Sequence, residues 1–217
     1  TKVFPLIAIP TTAGAGAEVT SNAVIYINGI KYSVENKLLI PNYFFLFTSL
    51  IINNPKKLKS SAGFDAIAQA VESLISVKSN RASVSFAKKS LILSTKNYLS
   101  FVNKPNYENS KSMLIASNLA GKAINISKTT APHAVSYPFS TLYGISHGHA
   151  VSLNFEKFLL FNFKKINYSN ANFDLKKRYQ LIFDSFNVNN INELYDKIKF
   201  FKKEANLEDS FSKLKIN

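Results

Sequence analysis

Cysteine is absent from all 217 residues. That excludes disulfides and thiolate metal ligands, and it agrees with a reducing, cytoplasmic setting. Long apolar runs are absent too. No stretch reaches the ~20 consecutive apolar residues that a bilayer-spanning helix needs, so no membrane partner is expected. Acidic residues are scarce: 13 Asp and Glu stand against 27 Lys and Arg, a formal net charge of +14. Charge of that size suits a nucleic-acid or membrane surface. The lysines, however, are scattered among Asn, Ile, Phe and Tyr rather than set in one stripe, and no recognised nucleic-acid-binding motif accompanies them. A nucleic-acid partner is therefore not expected, and an acidic small molecule is the better use of a basic site. At 46% hydrophobic residues the chain can fill the core of one large domain, or of one domain and a smaller part.

The pattern changes period near Pro55. Before it, Val3–Ile9 is an apolar run closed by Pro10 and reads as a buried strand. TTAGAGAEVT (11–20) supplies small residues where the backbone turns and approaches something closely. Ala23–Ile27 alternates into Asn28-Gly29, a strong hairpin signal, with Lys31–Val34 as the return strand. Tyr43–Phe47 is a further strand-like run. After Pro55, apolar residues recur at Phe64, Ile67, Ala68, Val71, Leu74 and Ile75, which is one face of a helix. Residues 81–102 and 111–127 repeat that pattern, and two more helices are expected at about 175–186 and 191–204. Asn103–Asn109 reads as a polar loop and Asn167–Asn172 as a linker. The division is an α/β part over 1–54 and a helical part over 55–217.

All three histidines fall in one stretch: His133, His147 and His149, within APHAVSYPFSTLYGISHGHA. A helix carrying His133, a turn at Tyr143-Gly144 and a new helix at His147 would bring two imidazoles together. Asp65, in SAGFDAIAQAVES, is the candidate carboxylate partner. Two imidazoles and one carboxylate suit a divalent transition metal acting as a Lewis acid. Read from these residues alone, one core and two capping histidines is an equal alternative.

Three ordered stretches carry a resemblance. TTAGAGAEVT (11–20), GFDAIAQAVES (63–73) and PHAVSY…YGISHGHA (132–150) resemble the signature segments of the iron-containing, group III alcohol dehydrogenases, in the family's order and at about its spacing. The resemblance is strongest over 5–80 and 112–155 and weak after about Asn162. NISKTTAPHAVSYPFSTLYGISHGHAV is most similar to the phosphonoacetaldehyde reductase branch. The implied architecture is dehydroquinate-synthase-like, an α/β remnant followed by an all-α domain. The family's glycine-rich GGGS-type phosphate loop is not found in this sequence. The chain therefore reads as a fragment lacking the N-terminal nucleotide-binding segment, with a truncated, non-catalytic metal-binding remnant as the alternative.

The resemblance implies an NAD(P)H-dependent alcohol dehydrogenase or aldehyde reductase. Its substrate would be a small aldehyde or alcohol, with reduction of phosphonoacetaldehyde to 2-hydroxyethylphosphonate as the narrower expectation. It implies Fe²⁺ or Zn²⁺ held by Asp65, His133 and His147, NADH or NADPH as hydride donor, and it allows a homodimer. Gln69 lies one turn after Asp65, where the family usually has a histidine. Its amide oxygen is a weaker neutral ligand that binds the metal or orients a water. Tyr137 lies where many members have a second histidine associated with proton transfer. A phenol, with an ordinary pKa of ~10, is a poorer proton shuttle at neutral pH, and packing is the alternative. Thr11, Thr12, Gly14, Gly16, Glu18 and Asn22 match part of the nicotinamide-nucleotide contact. Lys31 matches a cofactor-side lysine or is a solvated hairpin lysine. Lys128, Thr129 and Thr130 are placed to hold an anionic substrate tail, or to cap the His133 helix, or both. His149 is expected to point away from the metal.

Overall fold

The structure, a computed structural model, describes residues 4–27 and 30–216, without the side chains of Tyr26, Ile30 and Lys31. The Asn28-Gly29 turn and the start of the first apolar run at Val3 lie outside the described residues. Among the described residues four short strands come first, and mostly helices follow.

Strands β1 (Ile7–Ala8) and β4 (Tyr43–Phe44) pair in parallel, with Ile7 opposite Tyr43. The expected strands over Val3–Ile9 and Tyr43–Phe47 are thus each cut to two residues. Ile7 and Tyr43 are exposed, so the first run is not buried as its composition suggested. Burial of a parallel strand needs neighbours on both sides and a layer on each face; among the described residues β1 pairs only with β4. Strands β2 (Asn22–Ile27) and β3 (Ile30–Glu35) form the expected antiparallel hairpin, with Asn22 opposite Glu35.

A short helix, α1 (Ser49–Ile52), leads into α2 (Lys56–Ile75). The sequence suggested that α2 has one apolar face. Instead nearly every residue from Lys59 to Leu74 is buried. Its alanines and serines are small enough for neighbours to pack on all sides. Helices α3 (Arg81–Asn103) and α4 (Tyr107–Ser127) pack against it. Both begin with reciprocal capping boxes, Asn80 with Ser83 and Asn106 with Asn109. The supposed Asn103–Asn109 loop is therefore only a brief break, because Asn106 starts α4. Helices α5 (Ala131–Tyr143) and α6 (His147–Ser152) follow, joined through Gly144, whose φ of 65° ends α5. Then come α7 (Phe155–Lys164), α8 (Leu175–Phe186) and α9 (Ile191–Glu204), the last two at the expected positions. The expected linker at 167–172 opens with a 3₁₀ turn over Ile166–Tyr168.

The core centres on Phe64, Tyr98, Phe101, Phe155 and Phe201. The Tyr98 hydroxyl donates to the Ser60 carbonyl at 2.9 Å, so this buried phenol is satisfied. Near the C-terminus the Lys202 ammonium is fully buried. It donates to both Glu156 carboxylate oxygens, at 2.9 and 3.0 Å, and to the Ser152 carbonyl. This pair ties α9 to α7 and to the end of α6.

Candidate functional site

Helix α2 presents Asp65, Gln69 and Glu72 at intervals of four and three residues, one face of the helix. Helix α5 brings His133 to that face, and the start of α6 brings His147. His133 Nε2 lies 3.1 Å from Asp65 Oδ1 and His147 Nε2 lies 3.8 Å from the same oxygen. Asp65, His133 and His147 each offer one donor atom, all within 4.8 Å of one another, an arrangement that can hold a metal ion. Asp65 and His133 are buried, whereas the His147 side chain is 45% exposed.

Gly148 explains how α6 comes so close. A Cβ added there would sit 2.0 Å from the Ser61 carbonyl oxygen and 2.9 Å from Asp65 Cβ. Only a residue without a side chain allows this approach of α6 to α2.

The Gln69 amide nitrogen donates to Asp65 Oδ2 at 3.0 Å. Gln69 is buried, and its Oε1 has no hydrogen-bond partner. Burial raises the Asp65 carboxyl, but the hydrogen bond and charge of His133, with His147 and Gln69, outweigh it and hold Asp65 below the usual carboxylate range. Burial pulls His133 down. The charge of Glu72 and hydrogen bonds with Asp65 and Glu72 prevail and raise it to about 10.

Glu72 was not among the residues singled out from the sequence. Its Oε2 meets His133 Nδ1, and its Oε1 accepts from both the backbone N–H and the hydroxyl of Thr130 at 2.8 Å each. The signal was its spacing, seven residues after Asp65. The Thr130 hydroxyl is thus committed to Glu72.

One cavity of about 590 Å³ adjoins this cluster. Asp65, Gln69, His133, His147, Tyr137, Asn22, Lys128 and Thr129 all line it. The Tyr137 ring stacks on His147, with centroids 6.3 Å apart and planes at 11°. Lys128 ends α4 with φ 61° and ψ 173°, a conformation that is strained for any residue but glycine. Its ammonium pairs with Glu35 of β3, which also lines the cavity, and that pairing holds the Glu35 carboxyl below the usual range. Asn22 Oδ1 accepts the Ser33 hydroxyl at 2.9 Å.

Within the 11–20 segment Ala15, Ala17 and Thr20 line the cavity, whereas Thr11, Thr12, Gly14, Gly16 and Glu18 are not in its wall. Thr11 is exposed and its carbonyl accepts from Asn54; Thr12 is partly buried. Gly14 lies against the backbone of Ala62, and Gly16, at φ 59°, against Gly121 of α4. Glu18 is buried and accepts from the Asn118 amide at 2.8 Å. The closely approached partner of these small residues is helix backbone. The Lys31 side chain lies outside the described residues. His149 turns away from the cluster, as expected, with Nε2 2.6 Å from the Glu208 carbonyl; burial lowers its pKa. Among the described residues, no helix is long and apolar enough to cross a membrane.

Residues 59–217 match the family model described as Fe-containing alcohol dehydrogenase family, C-terminal, and residues 1–48 match that for iron-containing alcohol dehydrogenase. The 4-hydroxybutyrate dehydrogenase of Clostridium kluyveri is 32% identical over 155 residues, covering 69% of this chain and 42% of that protein. The phosphonoacetaldehyde reductase of Streptomyces viridochromogenes is 27% identical over 161 residues, 72% of this chain and 40% of that protein. Among solved structures, the sulfoacetaldehyde reductase of Bifidobacterium kashiwanohense in complex with NAD+ superposes with a TM-score of 0.88 at 28% identity, over 100% of this chain and 56% of that one. The chain thus spans less than half the length of these two curated relatives. Matched by a family model over most of its length, and mostly helical as that resemblance implied, the chain belongs to the iron-containing alcohol dehydrogenase family.

Proposed function

We propose that this chain supplies the metal-holding site of an NAD(P)H-dependent reductase of small aldehydes. The observation that carries the reading is the convergence of Asp65, His133 and His147 at one cavity. The residues present fit a divalent ion such as Fe²⁺ or Zn²⁺. They give one carboxylate oxygen and two imidazole nitrogens, and the buried Gln69 Oε1 lacks any other partner, which a cation or its bound water would satisfy.

When bound, the ion supplies Lewis acidity toward a carbonyl oxygen, and a reduced nicotinamide supplies the hydride. The chain's own groups do the rest. Asp65, kept anionic, and the imidazoles of His133 and His147 hold the ion. Asn22, with Thr20 and Ala17, lines the cavity on the side of the hairpin and is the contact proposed for the nicotinamide nucleotide. Thr11, Thr12, Gly14 and Gly16 belong to that proposal only through the resemblance, since none of them is in the cavity wall. Tyr137, at the wall beside His147, offers a phenolic proton to the reduced product.

The narrower proposal is an aldehyde with an anionic tail, such as a phosphonate or sulfonate. Relatives named for phosphonoacetaldehyde and sulfoacetaldehyde support it, as does the placement of Lys128 and Thr129 in the same cavity wall. Metal analysis after anaerobic purification is the test, followed by NADH or NADPH oxidation with a panel of aldehydes. The expected result is one divalent ion per protomer, lost in His133→Ala and His147→Ala. Unchanged metal content in both variants would sink the assignment.

A further inference from the structure

We propose that Glu72 is a positioning residue that fixes the ring of His133 so that Nε2, and not Nδ1, faces the metal. The inference rests on the metal reading above and concerns a residue outside the donor set.

The geometry is specific. Glu72 is fully buried on the same face of α2 as Asp65. The two ring nitrogens of His133 meet two different carboxylates of one helix: Nδ1 meets Glu72 Oε2 and Nε2 meets Asp65 Oδ1. A carboxylate oxygen only accepts, so Glu72 requires the proton on Nδ1. Asp65 makes the same demand on Nε2 while no cation is present. A cation bound beside Asp65 takes the place of the Nε2 proton, which leaves to solvent, and the Glu72 contact keeps the other proton on Nδ1. A histidine donating its far N–H to a carboxylate is also the stronger metal donor. The other Glu72 oxygen takes the Thr130 N–H and hydroxyl, which lie at the start of α5. One side chain thus sets both where α5 begins and how the ring three residues later is turned.

Anchoring of α5 alone would also keep Glu72 buried and bonded. The two roles separate by experiment. Glu72→Gln keeps the size but cannot accept from both Thr130 and His133. If its amide nitrogen faces His133, the ring is driven to the opposite tautomer. Thr130→Val removes one anchoring bond and leaves the His133 contact intact. Zn²⁺ affinity is measured by competition with a chromophoric chelator, beside thermal melting of each variant and with His133→Ala as reference. Glu72→Gln is expected to weaken Zn²⁺ binding on the order of 10- to 100-fold. Thr130→Val is expected to lower the melting temperature with little change in affinity. Unchanged affinity in Glu72→Gln, with loss in His133→Ala, overturns the positioning role and leaves the metal site standing. Retention of Zn²⁺ by His133→Ala removes the basis for both. Should Glu72→Gln fail to fold, ¹⁵N-edited NMR of the Zn²⁺-loaded parent decides the question. A proton on His133 Nδ1 with the metal on Nε2 is expected, and a metal-bound Nδ1 overturns the proposal.

Discussion

Gln69 and Asp65, one turn apart on α2, are joined by a hydrogen bond from the Gln69 amide nitrogen to Asp65 Oδ2 at 3.0 Å. An ionised carboxylate cannot donate, so the amide group must face it and the Gln69 oxygen must face elsewhere. That oxygen is buried and unpartnered at the cavity wall. Leaving such an atom unsatisfied costs ~1–3 kcal/mol, which a bound cation would offset. Gln69→His is therefore expected to slow metal loss to a chelator by about tenfold, or ~1.4 kcal/mol, because imidazole is the better donor for Fe²⁺ and Zn²⁺. Faster loss in the variant would show that the amide matters for its bond to Asp65 rather than as a donor.

Gly148 makes a second, purely steric prediction. The space for a Cβ is taken by the Ser61 carbonyl and by Asp65. Gly148→Ala must push α6 away from α2, and His147 moves with it. Such overpacking typically costs ~1–3 kcal/mol. Both a lower melting temperature and weaker metal retention are expected. A stable variant that binds metal normally would mean that α6 can shift without carrying His147 out of reach.

The buried Lys202–Glu156 pair predicts a stability effect far from the cavity. Lys202→Ala leaves a carboxylate buried without its cation, and breaking such a pair costs ~3–5 kcal/mol. Replacing both, as Lys202→Met with Glu156→Leu, should restore much of the loss. Chemical denaturation of the single and double variants measures this. Equal destabilisation in the two would mean that packing, not the unpaired charge, dominates.

The sequence disclosed most of the helical framework and singled out the three residues that converge at the cavity, each for a local reason. The apolar period over 56–75 and the Tyr143-Gly144 turn are local signals, and α2 and the end of α5 follow them; the Asn106 cap, inside the expected polar loop, was not read. His133, His147 and Asp65 were found because their residue types are rare in this chain and recur in motifs. Glu72 escaped because a helical glutamate is ordinarily solvated, and only the packing of α5 on α2 buries it. Thr130 reads as a contact for a substrate tail or a cap of the His133 helix, because its partner Glu72 lies 58 residues away. Glu18 and Gly16 match the nucleotide contact by resemblance; the neighbours that the sequence could not report are Asn118 and Gly121, on a helix about 100 residues on. The first apolar run failed as a buried strand for the same reason. Burial depends on a neighbouring layer, and no local pattern reports one.

Lys128 carries the last prediction, which concerns substrate choice. Its backbone sits at φ 61° and ψ 173°, where a side chain costs ~1–3 kcal/mol relative to glycine. Lys128→Gly should therefore fold at least as stably as the parent while removing the ammonium from the cavity. The side chain is 35% exposed and already paired with Glu35, so solvent and that carboxylate both weaken its hold on a ligand. A charge-assisted contact ordinarily contributes ~1.5–3 kcal/mol, and here the lower end applies, about tenfold in binding. In an active preparation Lys128→Gly should raise the KM for phosphonoacetaldehyde about tenfold and leave a neutral aldehyde of similar length nearly unchanged. Glu35→Gln should act in the opposite direction, since an uncharged amide competes less well for the ammonium. Equal effects of Lys128→Gly on charged and neutral substrates would remove the anionic tail from the reading and leave a reductase of neutral aldehydes.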